Sequence, residues 1–205
     1  MTDAPMELDL VVGSLISTRP EEDLLSFEEQ REVAAQIQDL LRERGVVVDL
    51  LAQPGVEVWE GGIETLGALY QLSRLAARLE REAEIDLVLE DGPNIYEDDL
   101  DRFVTDIWDE LKPSRFAHLI NLQGTGSHYL PVDFERPIWL PAEVEGEEEE
   151  AYFASTVALQ RELAELEPML LAAGVSVHSQ AFKCLEAMRA GADQSLHYGL
   201  PLIVW

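Results

Sequence analysis

The residues whose types and spacing could do chemistry in this chain are carboxylates. Glu97, Asp98, Asp99 and Asp101 crowd into one short segment, and Glu147, Glu148, Glu149 and Glu150 follow one another at the end of an acidic stretch that starts at Glu143. Clusters of this kind can chelate Ca²⁺, act as an acid/base pair, or present a polyanionic surface to a cationic partner. The first two uses lack their patterns. No D-x-D-x-D-G loop is present, and the 97–101 cluster opens a helical segment, where the positive end of the helix stabilises acids without any ligand.

The partner-surface reading draws support from the whole chain. Its 205 residues carry 41 acidic and 14 basic side chains, a formal net charge of −27 with a pI near 4.2. Such a field repels nucleic acid and anionic membrane and attracts cations. The expected partner is therefore a basic protein, bound through Glu97, Asp98, Asp99, Asp101 and Glu147 to Glu150. Nucleic acid and membrane are set aside, and a homodimer is left open.

Other chemistries are weaker. His118, His128, His178 and His197 are dispersed, and none has a second histidine at the spacing of a zinc site on one element. No metal and no cofactor is expected. Gly124-Thr-Gly-Ser127 has hydroxyls and glycines for an anion nest, but a strand-like run follows it where a phosphate loop needs a helix N-terminus. Cys184 lies between Phe182 and Leu185, beside Lys183 and away from a helix N-terminus, and no serine has a G-x-S-x-G context, so no catalytic nucleophile is assigned. The alternative to a binding module is a small-molecule hydrolase or transferase. Its pocket would use His128, Tyr129, Asp133 and Trp139, although His128 and Asp133 lie an odd number of residues apart on one proposed strand.

The elements that must position these groups follow from periodicity. Aliphatic Leu8 to Ile16 reads as a strand; Ser26 to Glu29 has capping-box spacing, and Val33, Ile37, Leu40 and Leu41 mark a helix that Gly45 ends. Val46 to Leu51 reads as a second strand, which gives a parallel β-α-β start. Ile63 to Leu79 is a helix, Ile85 to Leu89 a strand, and Leu100 to Leu111 a helix with one apolar stripe. Phe116 to Gln123 and His128 to Phe134 read as a hairpin about Gly124, with Pro131 placing the second run on an edge. A long helix is expected from about Glu148, kinked or stopped at Pro168 and closed by Gly174. Val175 to Val177 is a short strand, Ser179 caps a last helix, and Leu200 to Trp205 is a terminal strand.

The fold class is thus α/β, a single-domain mixed sheet with a parallel start and an antiparallel hairpin near residue 124, flanked by about five helices. Residues 1–205 form one acidic domain, with 143–150 as an acidic surface loop and helix start. An apolar fraction of 47% suffices for one substantial core. The start lacks a basic and apolar leader, no apolar run is long enough to cross a bilayer, and a single cysteine suits a reducing compartment, so a cytoplasmic location is expected. Charge and class are compatible with toxin-neutralising immunity proteins, an analogy that no motif carries.

Overall fold

The computed structural model describes residues 8–89, 100–144 and 147–205. Six strands form one mixed sheet in the order β2-β1-β6-β3-β5-β4, with β1 Leu8–Gly13, β2 Glu57–Ile63, β3 Ser127–Leu130, β4 Ile138–Val144, β5 Glu147–Ser155 and β6 Leu202–Val204. Five helices flank it: α1 Leu24–Glu43, α2 Leu66–Glu80, α3 Arg102–Trp108, α4 Thr156–Ala172 and α5 Gln180–Tyr198.

Alternation along the strands sends side chains to two unequal cores. On one face Leu8, Leu10 and Val12 of β1, Tyr129 of β3 and Tyr152 of β5 pack against α2, α4 and α5. Gly191 permits this approach, because a Cβ there would lie 2.8 Å from the Leu202 side chain. On the other face Leu130, Phe153 and Leu140 meet Leu41 of α1 and Val46 and Leu50 of the segment after it. α1 thus covers the β3–β5–β4 half of that face.

The mixed sheet and its five helices match the expected class, but the strand partners differ. There is no parallel start: β1 pairs antiparallel with β2 and with β6, and the parallel pair is β3 with β5. Both flanks of β1 are therefore taken. Val46 to Leu51 is not a strand; it turns its apolar residues under α1, with the Leu50 N–H donating to Gln38 Oε1 at 2.8 Å. The chain then reverses at Gly55, whose N–H donates to Ile16 O, and so enters β2 from the opposite end.

The hairpin at Gly124 is not formed either. Residues 116–123 make turns, not a strand, because side chains satisfy their backbone. The buried Glu162 carboxylate accepts from His118 N–H at 3.3 Å and Leu119 N–H at 2.7 Å, and Tyr152 Oη donates to His118 O at 3.2 Å. Gly124 and Gly126, both at positive φ, then lead into β3, which pairs with β5 and β6.

Smaller departures have similar causes. Asp23, not Ser26, caps α1, accepting from Leu25 N–H and Ser26 N–H. Ile85 to Leu89 holds a single 3-10 turn, and Val175 to Val177 is a loop. α4 begins at Thr156, capped by Ser155, and not near Glu148, and it runs through Pro168 to Ala172; Ser179 caps α5 as its spacing implied. The stretch 143–150 is not a loop running into a helix: it belongs to the β4–β5 ladder, in which Glu143 is in register with Glu148 and Pro141 with Glu150.

Candidate functional site

The acidic residues divide by what surrounds them. Glu97, Asp98 and Asp99 lie outside the described residues. Asp101 is no surface residue: its side chain is 3% exposed, and Oδ2 accepts from Arg78 Nε at 2.7 Å and Arg74 Nε at 3.3 Å. Its Oδ1 caps α3 through the Phe103 N–H, and its own N–H donates to Tyr70 Oη at 2.7 Å. Asp101 fastens α3 to α2 and has no capacity left for a partner. Glu147 to Glu149 occupy β5 at its paired end, and Glu150 beside them is exposed.

A second set of acids was missed by scanning for consecutive carboxylates. Glu28, Glu32, Asp39 and Glu43 are all exposed on α1. At 3.6 residues per turn they fall within about 60° of one another, a single stripe about 22 Å long at 1.5 Å per residue. Arg42 pairs with Asp39 at 2.6 Å, with both side chains more than half exposed, so it covers one position weakly. Glu21, Glu22 and Asp23 extend the exposed acidic run just before the helix. The sequence contains the signal, since these positions lie opposite the apolar stripe that includes Ile37 and Leu41.

The four residues of the alternative pocket do not converge. His128 stacks on Phe153 at 4.9 Å on the α1 side of the sheet, where burial pushes its pKa down to about 4. Tyr129 points to the opposite face, fully buried, with Oη accepting from Asn121 Nδ2 at 3.2 Å. Asp133 is exposed and holds Arg161 through both oxygens, at 3.0 and 3.2 Å. Trp139 alone of the four lines a cavity, a space of about 350 Å³ bounded by Trp108, Tyr152 and the 112–117 and 135–137 segments.

Nucleophiles are also committed elsewhere. Ser155 Oγ donates to Val132 O at 2.7 Å, and burial pushes the Cys184 thiol up. The buried Glu162, pushed up to about 8 by desolvation, braces the 116–120 turn and is not among the residues that line the cavity beside Trp139. Among the described residues no group of three His, Cys, Asp or Glu side chains is placed to hold a metal ion, and no helix is long and apolar enough to cross a membrane.

What the described surface can do chemically is present fixed negative charge at helical spacing along α1. Comparison with known proteins gives that capacity a context. No curated protein and no solved structure matches the chain, whereas the model of a family described as "Putative DNA-mimic protein" matches residues 6–204. This match overturns the immunity-like reading and its hydrolase or transferase alternative. It also corrects the partner expectation, which set nucleic acid aside because acidity repels it: acidity is equally the property by which a protein imitates nucleic acid. With the match spanning nearly its whole length, the chain belongs to this DNA-mimic family.

Proposed function

We propose that the protein occupies the DNA site of a DNA-binding protein, presenting carboxylates where that partner expects phosphates. The observation that carries the reading is the α1 stripe of Glu28, Glu32, Asp39 and Glu43, exposed on one helix face. One DNA strand places a phosphate every 3.4 Å or so along the axis, so a stripe of about 22 Å spans some six phosphate steps.

A rigid helix suits this role better than a flexible acidic tail. Charge held in place loses little conformational entropy on binding, and the cationic cleft of the partner has already been shaped for a stiff duplex. Family membership supports the same reading.

The test is displacement. Immobilised protein is loaded with the DNA-binding fraction of a lysate of its own source organism and washed with short duplex DNA at constant ionic strength. Duplex DNA should release the retained proteins, and the variant E28Q/E32Q/D39N/E43Q should retain much less of them. Retention that duplex DNA leaves untouched, or that the variant keeps in full, would overturn the proposal.

A further inference from the structure

The cavity on the other side of the β4 edge is not explained by an acidic stripe. Its neighbours on β4 alternate: Leu140 faces α1, while Trp139 faces the α2–α5 side and enters the cavity. Trp139 meets Trp108 edge-on with centroids 4.5 Å apart, and both rings lie near Tyr152, at 4.9 and 5.4 Å. A single interior void would be filled by side chains in a settled core. This one opens to solvent between two short segments, and its rim carries Glu110, Glu135, Lys112 and Arg136.

The charges on that rim do not cancel evenly. Lys112 is ion-paired with Asp106, whose carboxyl it holds below the usual range through a hydrogen bond. Glu110 and Glu135 are exposed and have no ion-pair partner among the described residues, and Arg136, which lines the same cavity, has none there either. Glu110 is also one of three non-glycine residues at positive φ among the described residues, held there by the turn that ends α3. Indole and phenol faces attract cations and offer nothing comparable to an anion. The field of the whole chain has the same sign preference.

We infer that this cavity is a receptor for a guanidinium group, an arginine side chain presented by the partner, with Trp108 and Trp139 as its walls and Glu110 and Glu135 as its counter-charges. The volume of about 350 Å³ holds an arginine side chain together with the flanking backbone that carries it. Arginine is the residue that DNA-binding surfaces use for phosphates and bases, and it supplies planar stacking that lysine lacks. The identity of the arginine's owner rests on the DNA-mimic reading. The preference of the cavity for a guanidinium rests on its own residues.

The experiment uses the whole protein and a blocked arginine, N-acetyl-arginine methylamide, followed through the indole signals of Trp108 and Trp139 and by calorimetry. Blocked citrulline, uncharged but of the same shape, and blocked glutamate serve as comparisons. Arginine should shift both indoles, with citrulline roughly tenfold weaker. E110Q and E135Q should weaken arginine binding several-fold, and R136Q should strengthen it. All three substitutions are on exposed side chains, so folding is checked directly by the unchanged signals of buried residues. Absence of any indole shift, equal binding of citrulline, or preference for glutamate with R136Q weakening it would each overturn the proposal. Duplex-releasable capture that persists when arginine fails to bind would remove the cavity and leave the mimic reading standing. Arginine binding without such capture would do the reverse.

Discussion

Along α1 the carboxylates of Glu28, Glu32 and Glu43 stand in solvent, while between α2 and α3 the Asp101 carboxylate is almost sealed from it and held by Arg74 and Arg78. The same contrast runs through the molecule. Arg115 pairs with Glu80 and Glu165, Arg189 with Glu167, Arg161 with Asp133 and Lys183 with Glu64, all on the α2–α5 side or next to it. Six of the fourteen basic side chains are used in this way, whereas of Arg31, Arg42 and Arg44 on and at the end of α1 only Arg42 is ion-paired among the described residues, against the exposed acids Glu28, Glu29, Glu32, Asp39 and Glu43. Exposed pairs contribute little to stability, so this distribution says less about stability than about where negative charge is left uncompensated.

If that division is real, the largest loss of stability should come from the sealed acid. Asp101→Ala removes the partner of two arginines and the cap of α3, and it should cost about 3 kcal/mol in denaturant unfolding. That value lies at the low end of what a broken buried pair costs, because Arg74 and Arg78 are partly exposed. A loss below about 1 kcal/mol would erase the distinction between the two regions.

Glu162 sharpens the comparison through pH. Burial raises its pKa to about 8, so between the ordinary carboxylate range and pH 8 the folded chain binds a proton that the unfolded chain has released. Stability must then fall as pH rises through that window. His118 and His128, each pushed down to about 4 by burial, act on the other limb: their contribution is present above about pH 6.5 and is lost as pH falls toward 4. Glu162→Gln keeps an oxygen for the Leu119 N–H, gives up the longer His118 N–H bond, which went to the other oxygen, and discards the ionisation. Relative to the natural chain it should gain about 2 kcal/mol between pH 6 and pH 9, with the acid limb unchanged. Parallel stability curves for the two proteins would show that the carboxyl is ionised in the fold.

How much of this was legible beforehand depended on whether a residue's role was local. The cap at Ser179 and the helices of residues 24–43, 66–80 and 180–198 follow from short-range spacing, and the mixed α/β class follows from their succession. Strand partners did not follow. Val46 to Leu51 has β-forming residues, yet both edges of β1 were already taken, and residues 116–123 were drawn out of the sheet by Glu162, a residue some forty positions away. The carboxylates at 97–101 and 147–150 are consecutive or nearly so and stand out in the linear sequence, whereas the α1 stripe is periodic and visible only on a helical projection. The cavity depends on Trp108, Trp139 and Tyr152 meeting across three elements, which no spacing encodes.

On the exposed side the main effect should be kinetic. Neutralising Glu28, Glu32, Asp39 and Glu43 together should slow association with a duplex-releasable partner by about tenfold at low salt, and the difference should shrink as salt shortens the Debye length to about 8 Å. Stopped-flow rates at several ionic strengths measure this. Equal slowing at every salt concentration would mean that the substitutions changed contacts and not the field.

The smallest effect is the most discriminating, because its sign is opposite to that at Asp101. Glu28 with Glu32 and Asp39 with Glu43 are like charges at i,i+4, each such pair disfavouring the helix by about 0.2–0.5 kcal/mol, and only the exposed Arg42–Asp39 bridge offsets them. Removing all four charges should therefore leave stability unchanged or raise it by about 0.5 kcal/mol in low salt, with the gain vanishing at high salt. Asp101→Ala should destabilise at both. Carboxylates that weaken the fold they sit on while speeding association are what a surface selected for binding would retain. If the quadruple variant were instead destabilised by more than about 1 kcal/mol, the α1 stripe would be holding the helix in place, and the two regions would be doing the same work.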